Sequence, residues 1–240
     1  MKCPICKGKG EINKIIPKSY SLGAYNKFNE IEQWIRITEG CPWNHDYCYE
    51  PTEIKVFGMP EIVRNKVKIM DMNLLCKKEA LSIIKDLGEK KVNEKVVYYE
   101  LVCGIDFRFL TQELATALRE NRFKNIRLAW DLLLSDQYKI KGAIDMLLKA
   151  GYSSKEIQIF MICNWDIPQR DCLDKLDLCK VWRVQVADCY YDNQLSPNIK
   201  PIKWTEKEIK EFRKKCRKHN QLVNFGIDPE LKNIDQKKMF

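Results

Sequence analysis

Residues 126–163 decide the fold class, and they read IRLAWDLLLSDQYKIKGAIDMLLKAGYSSKEIQIFMIC. Two apolar runs at the ends of this stretch, 126–130 and 157–163, have the composition of β-strands. Between them Asp136 can cap a helix whose apolar residues recur every three or four positions, and Gly151 can end it. A strand, a helix and a second strand of these lengths predict a parallel βαβ unit.

Similar apolar runs bounded by turn residues recur about every 30 residues on both sides of this unit. That period is typical of a strand followed by a crossover helix. Helical patterns fill two of the gaps, one over residues 77–87 and one in a helix that Thr111 can cap. The six predicted strands cover residues 34–38, 67–72, 96–103, 126–130, 157–163 and 181–187.

Six β/α units in series predict an α/β protein with a parallel sheet, as either an incomplete barrel or an open doubly wound sheet. The long apolar runs also predict that helices cover one face of the strands and that a packed interior covers the other. This core is predicted for residues 30–192. An N-terminal extension with a Cys-x2-Cys pair, 1–29, and a basic helical C-terminal extension, 193–240, flank it.

The composition limits the classes of protein that fit. The 240 residues include eleven cysteines but only two histidines, and the apolar and charged fractions of 45% and 31% exclude a disordered or collagen-like chain. The N-terminus lacks the apolar segment of a signal peptide, and no run reaches the roughly 18 apolar residues of a membrane span. We therefore expect a cytoplasmic protein with no membrane partner, in which clustered thiols bind metal.

The net charge of +9 is concentrated in residues 200–240, which carry twelve basic and six acidic side chains. Thr205 and Glu208 have the spacing of a capping box and predict a basic helix there. A solvated helix face is one interpretation, and contact with a nucleotide or nucleic acid is the other. His219 is predicted to lie in the last turn of this helix, where the helix dipole stabilises cations, and to have a structural role.

The most specific pattern is the segment 39–51, EGCPWNHDYCYEP, which follows the first predicted strand. Turn-forming residues bring the candidate ligands Cys41, His45 and Cys48 into one short loop. Thiolate and imidazole are soft or borderline ligands that suit zinc and iron–sulfur centres, and three of them leave one coordination position open. The loop therefore predicts a metal site.

At residues 40–48 the chain resembles the radical S-adenosylmethionine (SAM) superfamily. That family carries three cysteines as Cys-x3-Cys-x2-Cys, with an aromatic residue before the last, in a loop after the first strand of a partial α/β barrel. The resemblance implies a partial (β/α)6, TIM-like barrel over residues 30–192. It also implies that Cys41 and Cys48 bind a four-iron, four-sulfur cluster and that Tyr47 lies against the adenine of SAM.

The resemblance further implies the chemistry of the family, in which the amino and carboxylate groups of SAM bind the fourth iron. An electron from an external reductant then cleaves SAM, and the resulting 5′-deoxyadenosyl radical abstracts a hydrogen atom from the substrate. Asp71 and Asn73 stand where the family often has Gly-Gly-Glu, and are predicted to bind the SAM amine. Asp106 and Arg108 are predicted either to contact the SAM carboxylate or the substrate, or to form a surface salt bridge.

Position 45 departs from the family pattern, because it is histidine where the family has its middle cysteine. Imidazole is neutral and generally raises the reduction potential of an iron–sulfur centre, whereas SAM cleavage needs a strongly reducing cluster. His45 is the predicted third ligand. The alternative is that another thiol, such as Cys3, Cys103 or Cys189, supplies that ligand.

A zinc site is the second interpretation of this histidine. Cys3 and Cys6 resemble half of a zinc ribbon, and with His45 and Cys48 they complete a Cys-x2-Cys…His-x2-Cys set. The alternative function is then a binding module without radical chemistry. The remaining thiols are predicted to pack as small hydrophobic residues, and they are Cys76, Cys163, Cys172, Cys179 and Cys216.

Overall fold

The computed structural model describes residues 23–43, 45, 47–48, 50–131, 133–165, 167–190 and 204–226, so the predicted pair Cys3 and Cys6 lies outside the described residues. The strands of this part are β1 (Tyr25–Phe28), β2 (Gln33–Arg36), β3 (Thr38–Glu39), β4 (Lys55–Val56), β5 (Lys66–Ile69), β6 (Lys91–Val92), β7 (Lys95–Val96), β8 (Tyr98–Leu101), β9 (Ile105–Asp106), β10 (Ile126–Ala129), β11 (Ile157–Cys163) and β12 (Gln185–Tyr190). The α-helices are α1 (Ala80–Gly88), α2 (Gln112–Glu120), α3 (Gln137–Lys149), α4 (Gln169–Trp182) and α5 (Glu206–Phe225).

The strands form two four-stranded sheets, ordered β1-β2-β5-β8 and β12-β11-β10-β9, and two short antiparallel pairs, β3-β4 and β6-β7. Within the two larger sheets every pair is parallel except β1 with β2. A bridge between Tyr99 and Phe123 continues the order from β8 towards β10. The predicted α/β class with parallel strands is confirmed, and the described strands do not close into a barrel.

One face of the sheets packs against the helices. Alternate strand residues such as Ile69, Leu128 and Ile159 are fully buried, and they share one core with helix residues such as Ile84 and Leu147. This arrangement follows from the two periodicities, because side chains alternate along a strand and return to the same side of a helix every three or four residues. The prediction that helices cover this face is therefore confirmed.

On the opposite face the amino ends of the strands carry polar, partly exposed side chains, so the predicted packed interior does not extend to this end of the sheets. Lys68, Glu100, Arg127, Gln158 and Gln185 occupy alternating positions there and are partly exposed. The last four of these residues help to line a cavity of about 220 Å³ near the amino ends of β11 and β12. The sheet thus presents an open, hydrogen-bonding surface on one side.

Local signals place several helix ends correctly. The Thr111 hydroxyl accepts a hydrogen bond from Leu114 N at the start of α2, as predicted. Asp136 stands at the start of α3 without a side-chain capping bond.

The predicted strand 181–187 is wrong at its start, because α4 continues to Trp182 and ends where Arg183 adopts a left-handed conformation. A β-branched and aromatic run there favoured a strand, and packing of the helix overrides that propensity.

The connection from β2 to β5 is unlike the others, since its described residues contain no helix. The chain that precedes β5 packs across β2 instead. Gln33, which is fully buried on β2, donates from Nε2 to Glu61 O and accepts from Val63 N. The first of the six predicted β/α units therefore lacks its helix, and this first crossover, residues 40–65, carries the metal-type motif.

Helix α5 covers the edge of β12. The side-chain amide of Asn220 accepts from Val186 N at 2.8 Å and donates to Val186 O at 2.6 Å. His219 is buried and donates from Nε2 to Val184 O at 2.7 Å, which agrees with a structural role. Its predicted place in the last turn is wrong, because the helix continues to Phe225. No helix in the described ranges is long and apolar enough to cross a bilayer.

Candidate metal centre

The loop that carries Cys41, His45 and Cys48 is fixed at its base by a buried ion pair. The Glu50 carboxylate lies 2.8 Å from Arg36 Nη2 and also accepts from Gly40 N at 2.7 Å. Cys41 N donates to Pro51 O, so the two ends of the loop run side by side. A Cβ at Gly40, whose φ is +97°, would overlap the carbonyl of the chain beside it, so glycine is required there.

The three predicted ligands share this loop but do not form a ready-made site for one ion. Cys41 is buried, and its Sγ lies 3.4 Å from Asn73 Nδ2. Cys48 N donates to His45 O in a tight turn. In the part of the chain that the structure describes, no three His, Cys, Asp or Glu side chains are grouped to hold a metal ion. Their role as metal ligands therefore stays a prediction.

Residues that follow β5 and end β9 contact the loop. Asn73 Nδ2 lies 3.4 Å from both Cys41 Sγ and Asp106 Oδ2. Asp106 also accepts from Trp43 Nε1 at 2.5 Å and forms an ion pair with Arg108, whose guanidinium lies 3.8 Å from the centre of the Trp43 ring. The structure thus brings Asn73, Asp106 and Arg108 to the loop, as predicted for cofactor-binding residues. Asp106 and Arg108 also form the salt bridge that was the alternative prediction.

Residues that follow β10 and β11 contact the second half of the loop. The Tyr47 hydroxyl donates to Asp131 Oδ2 at 3.2 Å, and its ring meets Trp165 edge-on and stacks on His45. Burial, with the adjacent Asp131 charge, raises the pKa of Tyr47, so its hydroxyl stays protonated and donates. Buried Lys175 of α4 donates to Asp131 O at 3.2 Å and holds this strand end in place.

Asp71 has a different environment from the other predicted cofactor residues. Its fully buried carboxylate accepts from Ile37 N, Thr38 N and Thr38 Oγ1 at distances of 2.6 to 2.9 Å. Burial raises the pKa of Asp71, and these hydrogen bonds oppose that rise. Both oxygens are engaged with residues 37 and 38, directly after β2, so the geometry favours a structural role, and the predicted contact with SAM stays untested.

The donor chemistry of the loop fits an iron–sulfur cluster. Burial raises the pKa of Cys48 to about 11, and negative charge on Cys41 and Asp131 adds to the rise. A bound cationic centre reverses this effect, because a coordinated thiol is deprotonated. Asn73 Oδ1 is also buried without a hydrogen-bond partner among the described residues. Two thiols, an imidazole and an unused acceptor therefore suit a metal cofactor with a polar ligand.

The other thiols divide into two groups. Cys163, Cys172, Cys179 and Cys216 are fully buried, as predicted. Cys76 is instead only partly buried, and its Sγ lies 3.9 Å from Gly40 O at the base of the loop. The prediction that it packs as a core residue is wrong, because the 3-10 turn Leu74–Cys76 directs it towards the loop.

Sequence reasoning missed several residues of this site, namely Cys76, Lys77, Trp165 and Lys175. The first two lie three and four residues after Asn73, so their position beyond the second strand was a usable signal. Lys175 lies within α4, and nothing in its local sequence distinguishes it from a surface lysine. The comparisons with protein-family models and with curated proteins give no match for this chain.

Proposed function

We propose that this protein is a radical SAM-like iron–sulfur protein with a partial (β/α)6, TIM-like core. The observation that carries this proposal is the convergence of residues from β5, β9, β10 and β11 on the loop 41–48. In parallel α/β folds ligands bind at this edge of the sheet. The parallel strands also follow each other in chain order, as in a barrel, whereas a doubly wound sheet reverses its order.

In this proposal Cys41 and Cys48 bind a four-iron, four-sulfur cluster, and the third ligand is either His45 or a thiol from outside the loop. With SAM and an electron from an external reductant, that cluster supplies the reductive cleavage that starts hydrogen-atom abstraction. The buried pair of Arg36 and Glu50 holds the loop in one position. A fixed loop supports catalysis, because the cofactor must be placed accurately relative to the substrate.

The chain offers matching groups for the parts of SAM. Asn73 Oδ1 is a buried acceptor for the ammonium group. Arg108 is only partly buried, and its guanidinium can bind the carboxylate while it remains stacked on Trp43. Tyr47 and Trp165 supply aromatic surface for the adenine, and the hydrogen bond from Tyr47 to the strand end fixes the ring. Asn73 is favoured over Asp71, whose oxygens are engaged.

Anaerobic reconstitution tests this function. The purified chain is incubated with iron and sulfide, and its metal content and the electron paramagnetic resonance (EPR) spectrum of the reduced protein are measured. SAM and dithionite are then added, and 5′-deoxyadenosine is quantified. We expect a cluster and 5′-deoxyadenosine, both absent in a Cys41→Ala/Cys48→Ala control. Iron uptake no greater than in that control would refute the cluster, and a cluster without 5′-deoxyadenosine would refute the radical chemistry.

A second candidate function, a metal-binding module that contacts nucleic acid, is favoured by the outer face of α5. Its exposed cations outnumber its exposed acids, so the face suits a phosphate backbone. An unknown substrate of nucleotide or nucleic acid type would suit the same face. The exposed cations are Lys207, Lys210, Arg213, Lys214, Lys215, Arg217 and Lys218.

Fluorescence anisotropy with a labelled RNA oligonucleotide, at several salt concentrations, tests the nucleic-acid contact. The variant Lys214→Glu/Lys215→Glu/Lys218→Glu should bind more weakly and with a shallower salt dependence, because each lost phosphate contact lowers the slope by about 0.7 to 0.9. The control Lys139→Glu/Lys141→Glu changes exposed lysines of α3 and should bind like the unmodified protein. Equal binding by all three proteins would remove this candidate, and zinc analysis of the same samples tests the metal.

A further inference from the structure

The thiol of Cys76 lies beside the loop, although it is distant from the loop in sequence. Its Sγ lies 3.1 Å from Asn73 O and 3.9 Å from Gly40 O, the carbonyl that directly precedes Cys41. The thiol therefore lies against the backbone that carries Cys41.

Lys77 gives this thiol the environment of an anion. Its Nζ lies 3.3 Å from Cys76 Sγ, donates to Gly40 O, and is almost completely buried. A buried ammonium is costly without a negative partner, and a thiolate next to an ammonium is stabilised. The pair is suited to a thiolate that also binds a metal.

Asn73 connects the two thiols and points independently to a bound group. It is 3% exposed, its Nδ2 lies 3.4 Å from Cys41 Sγ, and its backbone carbonyl accepts from Cys76 Sγ. Its Oδ1 is buried and has no partner in the described residues. A buried acceptor without a partner is costly, so its presence between two thiols indicates that a ligand completes this site.

The other candidate donors have different surroundings. The His45 ring stacks on Tyr47 with 5.0 Å between centroids and 12° between planes, as part of an aromatic cluster. Cys103 Sγ donates to Met70 O, and its nearest charges are those of Asp71, Arg36 and Glu50. Cys189 has Asp131 and Cys163 as its strongest electrostatic neighbours. Among these described thiols from outside the loop, Cys76 is the one whose Sγ has a contact with the backbone directly before Cys41.

We propose that Cys76 is the third thiolate ligand of the iron–sulfur cluster and replaces the cysteine that the loop lacks at position 45. This inference rests on the proposed cluster with Cys41 and Cys48. It removes the conflict between a histidine ligand and a strongly reducing cluster, because three thiolates keep the reduction potential low. His45 then stays with Tyr47 in the aromatic wall of the site.

Four single variants test the ligand set after anaerobic reconstitution: Cys41→Ser, Cys76→Ser, His45→Ala and Cys103→Ser. Serine at 76 preserves the hydrogen bond to Asn73 O, and circular dichroism checks that each variant is folded. We expect Cys76→Ser to lose most of its iron and its EPR signal, as Cys41→Ser does. His45→Ala and Cys103→Ser, a thiol of similar partial exposure, should keep the iron content and spectrum of the unmodified protein.

A rescue variant separates ligation from structural support. His45→Cys/Cys76→Ser restores the cysteine of the family pattern, so it should regain the iron and the EPR signal that Cys76→Ser loses. Failure of this rescue would mean that Cys76 supports the loop and is no ligand. Full iron in Cys76→Ser, or loss of iron in His45→Ala, would overturn the inference while leaving the cluster in place. Absence of iron in the unmodified protein would overturn the proposed function and this inference together.

Discussion

The first crossover and the later crossovers of this protein are stabilised by different kinds of contact. The first crossover is held by buried polar side chains, including Gln33, Arg36, Glu50 and Asp71, each at most 4% exposed. The later crossovers are held by apolar helix faces, as in α3, where Ile140, Ile144 and Leu147 are buried. The strands are thus covered by directional hydrogen bonds at the first crossover and by non-directional packing elsewhere.

This difference shows how a loop can replace a helix without losing its position. Apolar packing tolerates small shifts of the packed groups, whereas an ion pair with added hydrogen bonds specifies one geometry. Glu50 meets both Arg36 and Gly40 N, so it fixes the loop directly next to Cys41. The backbone next to Cys41, where the proposed cluster binds, is therefore held in one geometry by directional contacts.

The largest loss of stability is expected from breaking the buried ion pair of Arg36 and Glu50 at the base of the loop. Glu50→Ala leaves Arg36 buried with the longer contact of 3.4 Å to Glu39, and removal of one partner of a buried ion pair costs about 3 to 5 kcal/mol. Urea unfolding followed by circular dichroism measures this loss. Glu53→Ala, which breaks the exposed pair with Lys55, should leave the free energy of unfolding nearly unchanged, because water and salt screen exposed ion pairs. Equal losses in the two variants would contradict the comparison.

A slightly smaller loss is expected from a cavity in the apolar region. Leu147 is fully buried in α3, and Leu147→Ala should lower the free energy of unfolding by about 2 to 5 kcal/mol. The adjacent Leu148 is 39% exposed, so Leu148→Ala is a matched control with a much smaller expected loss. The same urea titrations compare the two. A loss in Leu147→Ala as small as in its neighbour would mean that helix packing contributes little here.

The capping box of α5 should contribute less to the free energy of unfolding than the Glu50 ion pair or the Leu147 side chain. The Thr205 hydroxyl accepts from Glu208 N, so Thr205→Ala removes one satisfied backbone donor and should cost about 0.5 to 2 kcal/mol. Thermal unfolding of this variant and of Lys207→Ala, an exposed residue of the same turn, gives the difference. If both variants melt together, the cap does not stabilise the helix that covers β12.

The smallest effect on stability is expected from the buried imidazole of His219 in α5. Burial lowers the pKa of His219 below the usual value of 6.5, although its bond to Val184 O opposes the shift. The folded state then binds fewer protons than the unfolded state, so stability should fall as the pH drops from 7 through about 6.5 towards the folded pKa. The pH dependence of urea unfolding should weaken in His219→Gln. An unchanged dependence in that variant would assign it to other groups.

The sequence predicted what depends on local pattern. Strand 157–163 is correct to the residue, and the capping residues Thr111 and Thr205 were recognised because capping is a short-range interaction. The metal-type loop was found for the same reason. The end of α4 was missed, since a β-branched run gives no sign that tertiary packing keeps it helical.

The contacts that build the site were harder to predict. Asp71 was predicted to lie at the end of the second strand, but its three hydrogen bonds to Ile37 and Thr38 depend on the parallel register of β2 and β5. Cys76 and Lys77 reach the loop because a 3-10 turn reverses the chain after β5, and their residue types did not indicate that turn. Long-range placement of this kind is set by the assembled sheet, so a single sequence does not reveal it.

The amide of Asn220 has a consequence for association between molecules. By accepting from Val186 N and donating to Val186 O, it occupies the groups with which β12 would otherwise pair to a further strand. An uncovered edge is a template on which a second chain can add its own strand. A protein shortened before residue 204 would therefore be expected to self-associate, so α5 acts as a guard against aggregation as well as a cover for the core.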